Sequence, residues 1–146
     1  MIPSPLYLLD TNILVHFVRA DDVWTRIRSR YPLFAIDPRP LISIVTAGEI
    51  RSLALQWNWG SQKLDQMEFA LDYFDKMPID DDPLVNAYAL IDAHFQRQGR
   101  AFGKNDLWIA ATAQALDARL LTADRDFDAM DPLFISRDWI DSTPKP

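Results

Sequence analysis

The chain has 146 residues, of which 49% are hydrophobic and 25% charged, a balance typical of a single soluble globular domain. The absence of cysteine excludes disulfides and thiolate metal sites, and with only two histidines any bound metal should be held by oxygen. A net charge of −6 argues against tight, nonspecific binding of nucleic acid through a broad basic surface. No apolar run is long enough to span a bilayer and no signal peptide is recognised, so we expect a cytoplasmic protein.

Short apolar runs alternate with helical patterns along most of the chain. The runs predict five strands, at residues 6–9, 41–45, 76–80, 119–122 and 133–136. Helical spacing, prolines and glycine stops predict six helices, at residues 12–19, 22–30, 47–57, 62–74, 82–98 and 106–117. Because the strands are uniformly apolar, we expect an α/β fold whose mostly parallel sheet is covered on both faces. We expect one domain over residues 1–140 and a short C-terminal tail over residues 141–146.

Several acidic residues fall where a predicted strand has just ended or a predicted helix has just begun. The ones that share this placement are Asp10, Glu49, Asp106 and Asp124. In a parallel sheet these places lie along one edge, which is where such sheets bind ligands. We therefore expect four segments that are distant in sequence to bring their carboxylates into one small volume.

Carboxylates packed together repel one another, and burial raises that cost further. A folded protein keeps such a cluster when something neutralises it, and Mg²⁺ or Mn²⁺ does so readily because hard cations prefer oxygen ligands. One or two such ions can activate water for attack on a phosphodiester and stabilise the leaving oxygen. An acidic sheet edge without histidine or cysteine therefore indicates metal-dependent hydrolysis.

Each acid also has an explanation that involves no catalysis. Taken alone, Asp106 is better explained as a helix N-cap, and Asp124 could be a cap as well. Glu49 could complement the dipole of the helix that it begins. The remaining acids near the C-terminus are interpreted as surface or turn residues, namely Asp126, Asp128 and Asp131. It is the joint placement of the four acids that favours a site.

Four short motifs, in order along nearly the whole chain, carry a family resemblance. They are LLDTN at 8–12, Glu49 within SIVTAGEI, FGKNDLWIAATA at 102–113 and LLTADRDF at 120–127. Together they resemble the motifs of PIN-domain ribonucleases, and in particular those of the VapC toxins of toxin–antitoxin pairs. Lys104, two residues before Asp106, departs from the small residue or proline often found near that position of the family.

The resemblance implies a three-layer α/β/α domain and a Mg²⁺- or Mn²⁺-dependent endoribonuclease that cuts RNA such as tRNA or ribosomal RNA. It implies that the catalytic and metal-binding residues are Asp10, Glu49, Asp106 and Asp124. It gives supporting roles to Thr11, Asn12, Thr122 and Asp126, and leaves open whether Asp124 or Asp126 is the fourth ligand. It also implies a cognate antitoxin that offers a basic side chain to the acidic site, and leaves a homodimer possible.

Other residues and other functions stay open at this point. Lys104 and Arg125 are candidate RNA-binding residues because each is close in sequence to one of the four acids. Trp57 and Trp59 could stack on unpaired bases, contact a partner or belong to the core. A haloacid-dehalogenase-like phosphohydrolase would use Asp10 as nucleophile but needs an acid where Asn12 stands. A PIN-like module that only binds protein would show no metal-dependent cleavage of RNA.

Overall fold

Five short strands form one parallel sheet at the centre of the molecule. A computed structural model describes residues 4–144. The strands are β1 (Tyr7–Leu9), β2 (Leu41–Ser43), β3 (Asp75–Met77), β4 (Arg119–Thr122) and β5 (Ser136–Trp139). Their order across the sheet is β3-β2-β1-β4-β5, and every neighbouring pair is parallel. Since β1 is the middle strand, its carboxyl end lies beside those of β2 and β4.

Within residues 4–144, six α-helices cover the two faces of the sheet. They are α1 (Thr11–Arg19), α2 (Asp22–Arg30), α3 (Ile44–Gln56), α4 (Ser61–Tyr73), α5 (Asp82–Arg97) and α6 (Lys104–Ala115). Leu9 and Leu121 face a core formed with α1 to α4, whereas Leu8 and Leu120 face a second core formed with α5 and α6. Successive strand side chains point to opposite faces, so burial on both sides requires the uniformly apolar strands that the sequence has. The predicted α/β/α architecture is confirmed.

The start of each helix beside the sheet edge is set by a local signal. Asp10 is the N-cap of α1, and its carboxylate accepts from the Thr11 N–H. Ser43 ends β2 and caps α3, its hydroxyl accepting from the Val45 N–H at 3.1 Å. The strand predicted at 41–45 is therefore two residues too long, because Ser43 satisfies an N–H of the first helical turn and starts the helix at once.

Residues 125–136 differ most from the sequence prediction. Arg125–Met130 forms a 3₁₀ helix that the sequence pattern did not predict. The last strand was predicted at 133–136 and lies at Ser136–Trp139, so that prediction was wrong by three residues. Leu133 is 60% exposed, and the strand itself carries an Arg and an Asp. Apolar content is a poor guide to an edge strand, because such a strand is only partly buried.

The C-terminal segment stays close to the domain as far as it is described. Ile140 is buried and its N–H donates to the Thr122 carbonyl at 2.8 Å, while Arg26 donates to the Thr143 carbonyl at 3.0 Å. The boundary at residue 140 stays a prediction, and part of the expected tail, residues 145–146, lies outside the described residues. Within residues 4–144, none of the helices combines the length and the apolar character needed to cross a membrane.

Candidate functional site

Asp10 lies at the carboxyl end of the middle strand and is almost wholly buried. One carboxylate oxygen accepts from the Thr11 N–H at 2.7 Å, and the other accepts from the Thr122 hydroxyl at 2.7 Å and from the Asn12 amide at 3.2 Å. The pKa of Asp10 is raised to about 6, chiefly by burial and to a smaller extent by the charges of Glu49 and Asp124. The hydrogen bonds from Thr122 and Thr11 act in the opposite direction. The carboxyl group is thus fixed in position while its charge is costly.

Asn12 and Thr122 join the ends of β1 and β4. The Asn12 amide oxygen accepts from the Ala123 N–H at 3.1 Å. The Thr122 hydroxyl, besides donating to Asp10, accepts from the Asp124 N–H at 2.9 Å. These bonds hold the loop that follows β4 against the start of α1, and so set where Asp124 stands relative to Asp10.

Glu49 is held in place by a residue of α1, the helix that Asp10 caps. Glu49 itself lies in the second turn of α3, and its carboxylate accepts from the hydroxyl of Thr11 in α1 at 2.7 Å. That hydroxyl also lies 3.2 Å from the hydroxyl of Thr46, which is completely buried. Thr11, Asn12 and Thr122, which we expected to support the acids, each donate a hydrogen bond from the side chain to the carboxylate of Glu49 or Asp10.

Asp106 stands in the first turn of α6 and does not cap it. The helix begins at Lys104 with Gly103 as N-cap, so the explanation of Asp106 as an N-cap was wrong. The pKa of Asp106 is raised to about 7. Burial is the largest cause, followed by the negative charges of Asp10, Asp124, Glu49 and Asp126. Since all of these neighbours are acids, the environment of Asp106 opposes its ionisation unless a cation is present.

Asp124 and Asp126 bring two further carboxylates to Asp106. Asp124 caps the 3₁₀ helix, and its carboxylate accepts from the Asp126 N–H at 2.8 Å. One carboxylate oxygen from each of Asp106, Asp124 and Asp126 lies within 4.8 Å of those of the other two. Asp10 and Glu49 lie outside this group of three, although their charges act on it.

Of the acids expected near one another, Asp106 and Asp124 bring carboxylate oxygens within 4.8 Å, and Asp126 joins them. Whether Asp124 or Asp126 is the fourth ligand stays a prediction. In the sequence, the Asp-x-Asp spacing of Asp124 and Asp126 is the signal for their proximity, since a tight turn brings the two together.

The acids gathered at this sheet edge have the donor chemistry that a hard divalent cation prefers. None of the ion pairs found among residues 4–144 involves any of them. An all-oxygen set of carboxylates is the ligand chemistry that Mg²⁺, Mn²⁺ and Ca²⁺ take. A cation in this place would offset the repulsion that raises the pKa of Asp106.

The other candidate residues lie around the acids. Lys104 is exposed in the first turn of α6. The Arg125 guanidinium lies 3.8 Å from the centre of the Trp139 ring and 3.4 Å from the Asp128 carboxylate. Trp59 is buried in the core, whereas Trp57 is 44% exposed and carries the Arg19 guanidinium over its ring at 4.5 Å. Direct contact with RNA stays a prediction for Lys104 and Arg125.

A parallel three-layer domain with an acidic cluster at the carboxyl edge of its sheet defines the class of this protein. Residues 7–133 match the model of the PIN domain, and the chain belongs to that family. The family resemblance seen in the sequence motifs is thereby confirmed.

Curated relatives and solved structures agree with this assignment. The chain is 33% identical to Ribonuclease VapC5 of Mycobacterium tuberculosis over 99 residues, which cover 66% of this chain and 72% of the relative. It is 28% identical to Ribonuclease VapC1 of Haemophilus influenzae over 122 residues, covering 80% and 85%. The structure of VapBC-5, a toxin–antitoxin system of Mycobacterium tuberculosis, superposes with a TM-score of 0.68 at 26% identity, covering 94% of this chain and 98% of that one. VapBC2 of Rickettsia felis, bound to a promoter DNA fragment, shares the fold with a TM-score of 0.76 at 20% identity, covering 93% and 99%.

Proposed function

We propose that this protein is a Mg²⁺- or Mn²⁺-dependent endoribonuclease that hydrolyses phosphodiester bonds in RNA, and that it is the toxin of a toxin–antitoxin pair. The observation that carries the proposal is the group of three carboxylates within 4.8 Å of one another, beside the buried Asp10. The names of the relatives, Ribonuclease VapC, support the same activity. A nuclease that acts on cellular RNA would work in the cytoplasm.

The proposed roles of the acids follow from their contacts. Asp106 and Asp124, with Asp126 beside them, would hold the cation, and Asp10 and Glu49 would complete its surroundings. The bound cation would activate water and offset the charge on the departing oxygen. Without it, five acids would repel an RNA phosphate, so the cation is needed for substrate binding as well as for chemistry.

Hydrogen bonding favours this role for Asp10 over that of a covalent nucleophile. Both carboxylate oxygens of Asp10 already accept hydrogen bonds, and the residue is only 5% exposed. A nucleophilic carboxylate must reach the phosphorus atom, which a buried and doubly held group does not do readily. The haloacid-dehalogenase-like alternative is therefore disfavoured.

The proposed partner is an antitoxin that places an Arg or Lys among the acids. A guanidinium makes paired, charge-assisted hydrogen bonds to carboxylates and would displace the cation. One solved neighbour is described as a member of the VapBC family of toxin–antitoxin systems and another as a toxin–antitoxin complex, which supports such a partner. Trp57 remains available as an apolar anchor because it is 44% exposed, whereas Trp59, at 8%, belongs to the core.

The proposal is tested by sequencing cellular RNA ends after brief expression of the protein. Wild type should generate new ends at defined positions, and Asp10→Asn should not. Asp65→Asn, which changes an exposed acid of α4 that is not one of the five acids at the site, is the matched control and should behave as wild type. Identical end profiles for wild type and Asp10→Asn would reject the proposed function and favour a binding module.

A further inference from the structure

A groove runs along one face of α3 and ends at the acidic site. Its volume is about 480 Å³, and one wall comes from α3 residues that include Gly48, Glu49, Ser52 and Gln56. These residues recur at intervals of three and four, so they lie on one side of the helix. Asn105, from the first turn of α6, lines the groove as well. We call this feature the α3 groove.

Gly48 lines the middle of the α3 groove without a side chain. It lies in the interior of α3, is exposed, and a Cβ atom added to it would meet no atom within 4 Å. Glycine within a helix lowers stability relative to alanine. No neighbour among the described residues requires the missing side chain, so packing within the chain does not account for this cost. Close approach of a ligand to the helix backbone would account for it.

The lining of the α3 groove suits a neutral heteroaromatic group rather than a phosphate. None of the described residues that line it is a Lys or Arg, and Glu49 adds a negative charge. Ser52, Gln56 and Asn105 offer hydroxyl and amide groups, which both donate and accept hydrogen bonds. The Gln56 amide donates to the Ser52 hydroxyl at 2.9 Å, which fixes its orientation and uses only one of its four hydrogen-bonding positions. Leu53 supplies apolar surface for the face of a ring.

We propose that the α3 groove holds an unpaired nucleobase of the RNA substrate and sets the sequence preference of cleavage. This inference rests on the proposed nuclease function. Glu49 belongs both to the acidic site and to the groove, so a phosphate at the acids places the base of an adjoining nucleotide beside α3. Proteins read single-stranded RNA by splaying bases out and hydrogen-bonding their edges, and side-chain amides are suited to that task.

Sequencing the products from a random single-stranded RNA pool, cut by purified protein with Mn²⁺, tests the groove. Wild type should prefer particular bases at one position beside the cut. Gln56→Ala should weaken that preference roughly tenfold, the effect of one lost hydrogen bond to a base edge. Gly48→Leu, which places a bulky side chain in the middle of the groove, should remove that preference. Gln66→Ala changes an exposed glutamine of α4 outside the groove and should leave the profile unchanged.

Gly48→Ala separates a ligand site from a merely tolerated glycine. Alanine should raise the melting temperature by about 2–4 °C because helix propensity improves. It should also slow cleavage and weaken the base preference. A variant that is more stable and cleaves with the wild-type rate and preference would overturn the inference.

Two further outcomes are decisive. A Gly48→Leu variant that keeps the wild-type preference but changes its oligomeric state in light scattering would make the groove a protein interface and overturn the inference. If wild type cuts no RNA, the proposed function fails, and the groove is then tested by fluorescence anisotropy with labelled single-stranded RNA. Weaker binding by Gly48→Leu and Gln56→Ala would support the groove, and equal binding by all variants would overturn it.

Discussion

The Thr122 hydroxyl donates a hydrogen bond to the Asp10 carboxylate at 2.7 Å, although the two residues are 112 positions apart. The same hydroxyl accepts from the Asp124 N–H at 2.9 Å. Thr122 is completely buried, so no water replaces either bond. One side chain at the end of β4 therefore fixes the carboxylates contributed by two neighbouring strand ends.

Thr122→Val should lower the free energy of unfolding by about 1–3 kcal/mol. The substitution keeps the shape but removes one of the three hydrogen bonds to the buried Asp10 carboxylate and leaves the Asp124 N–H without its acceptor. Urea unfolding measures the loss, and RNA cleavage should fall with it because the site loosens. Thr122→Ser is the matched control and should stay close to wild type. Equal destabilisation by Val and Ser would show that the hydroxyl contributes little.

The metal-free protein should become less stable as the pH rises from about 4 to about 7. The pKa of Asp10 is raised to about 6 and that of Asp106 to about 7, so the folded state holds protons that the unfolded state releases near pH 4. Stability from these two groups is present below pH 4 and is lost as the pH rises through the folded pKa values. Urea unfolding in EDTA at several pH values measures the free energy of unfolding. A difference in that free energy between wild type and Asp10→Asn that stays the same at every pH would contradict the prediction.

Asp106→Asn should stabilise the metal-free protein at pH 8 by about 1–2 kcal/mol, after allowance for the solvent exposure of this side chain. The change removes a charge whose pKa is raised by burial and by four neighbouring acids. The measurement is thermal unfolding in EDTA. Asp117→Asn, at an exposed position with a φ of 50° that asparagine accepts, is the control and should change little. A destabilised Asp106→Asn would mean that its carboxylate has a structural role.

Mn²⁺ should raise the melting temperature of wild type, and Asp126→Asn should weaken that effect. The Asp126 carboxylate belongs to the group of three within 4.8 Å, so its loss removes a ligand or a direct neighbour of one. A roughly 10–100-fold loss of affinity is expected from a titration followed by thermal unfolding. Ca²⁺ should bind but support little cleavage, since it prefers more ligands and looser geometry. Unchanged Mn²⁺ affinity would place Asp126 outside the site.

Much of the fold follows from the sequence because the strands are buried on both faces. Leu8 and Leu9 face different cores, and only a continuous apolar run satisfies both. The edge strand β5 was misplaced because Arg137 and Asp138 are only partly buried and its polar pattern resembles a loop. Asp138 also accepts hydrogen bonds from Arg119 and Tyr31, tertiary contacts that local patterns do not reveal.

The sequence indicated which strand ends carry acids. It did not indicate which carboxylate oxygens come close together in the folded protein. Gly103 rather than Asp106 caps α6, and no side chain makes the cap hydrogen bond, so the sequence lacked a start signal there. Asp126 joins the cluster because the unpredicted 3₁₀ helix turns it back toward Asp124. The groove beside Glu49 depends on how α3 and α6 pack, which spacing within one helix does not determine.

The most direct test of the central claim is cleavage of single-stranded RNA by the purified protein with Mn²⁺, compared with Asp106→Asn and with wild type in EDTA. Asp106→Asn is the informative variant because it removes one of the three clustered carboxylates without removing a helix cap. We expect cleavage by wild type with metal, a loss of about 100-fold or more for the variant, and no cleavage in EDTA. Equal cleavage by wild type and Asp106→Asn, or undiminished cleavage after exhaustive chelation, would contradict it.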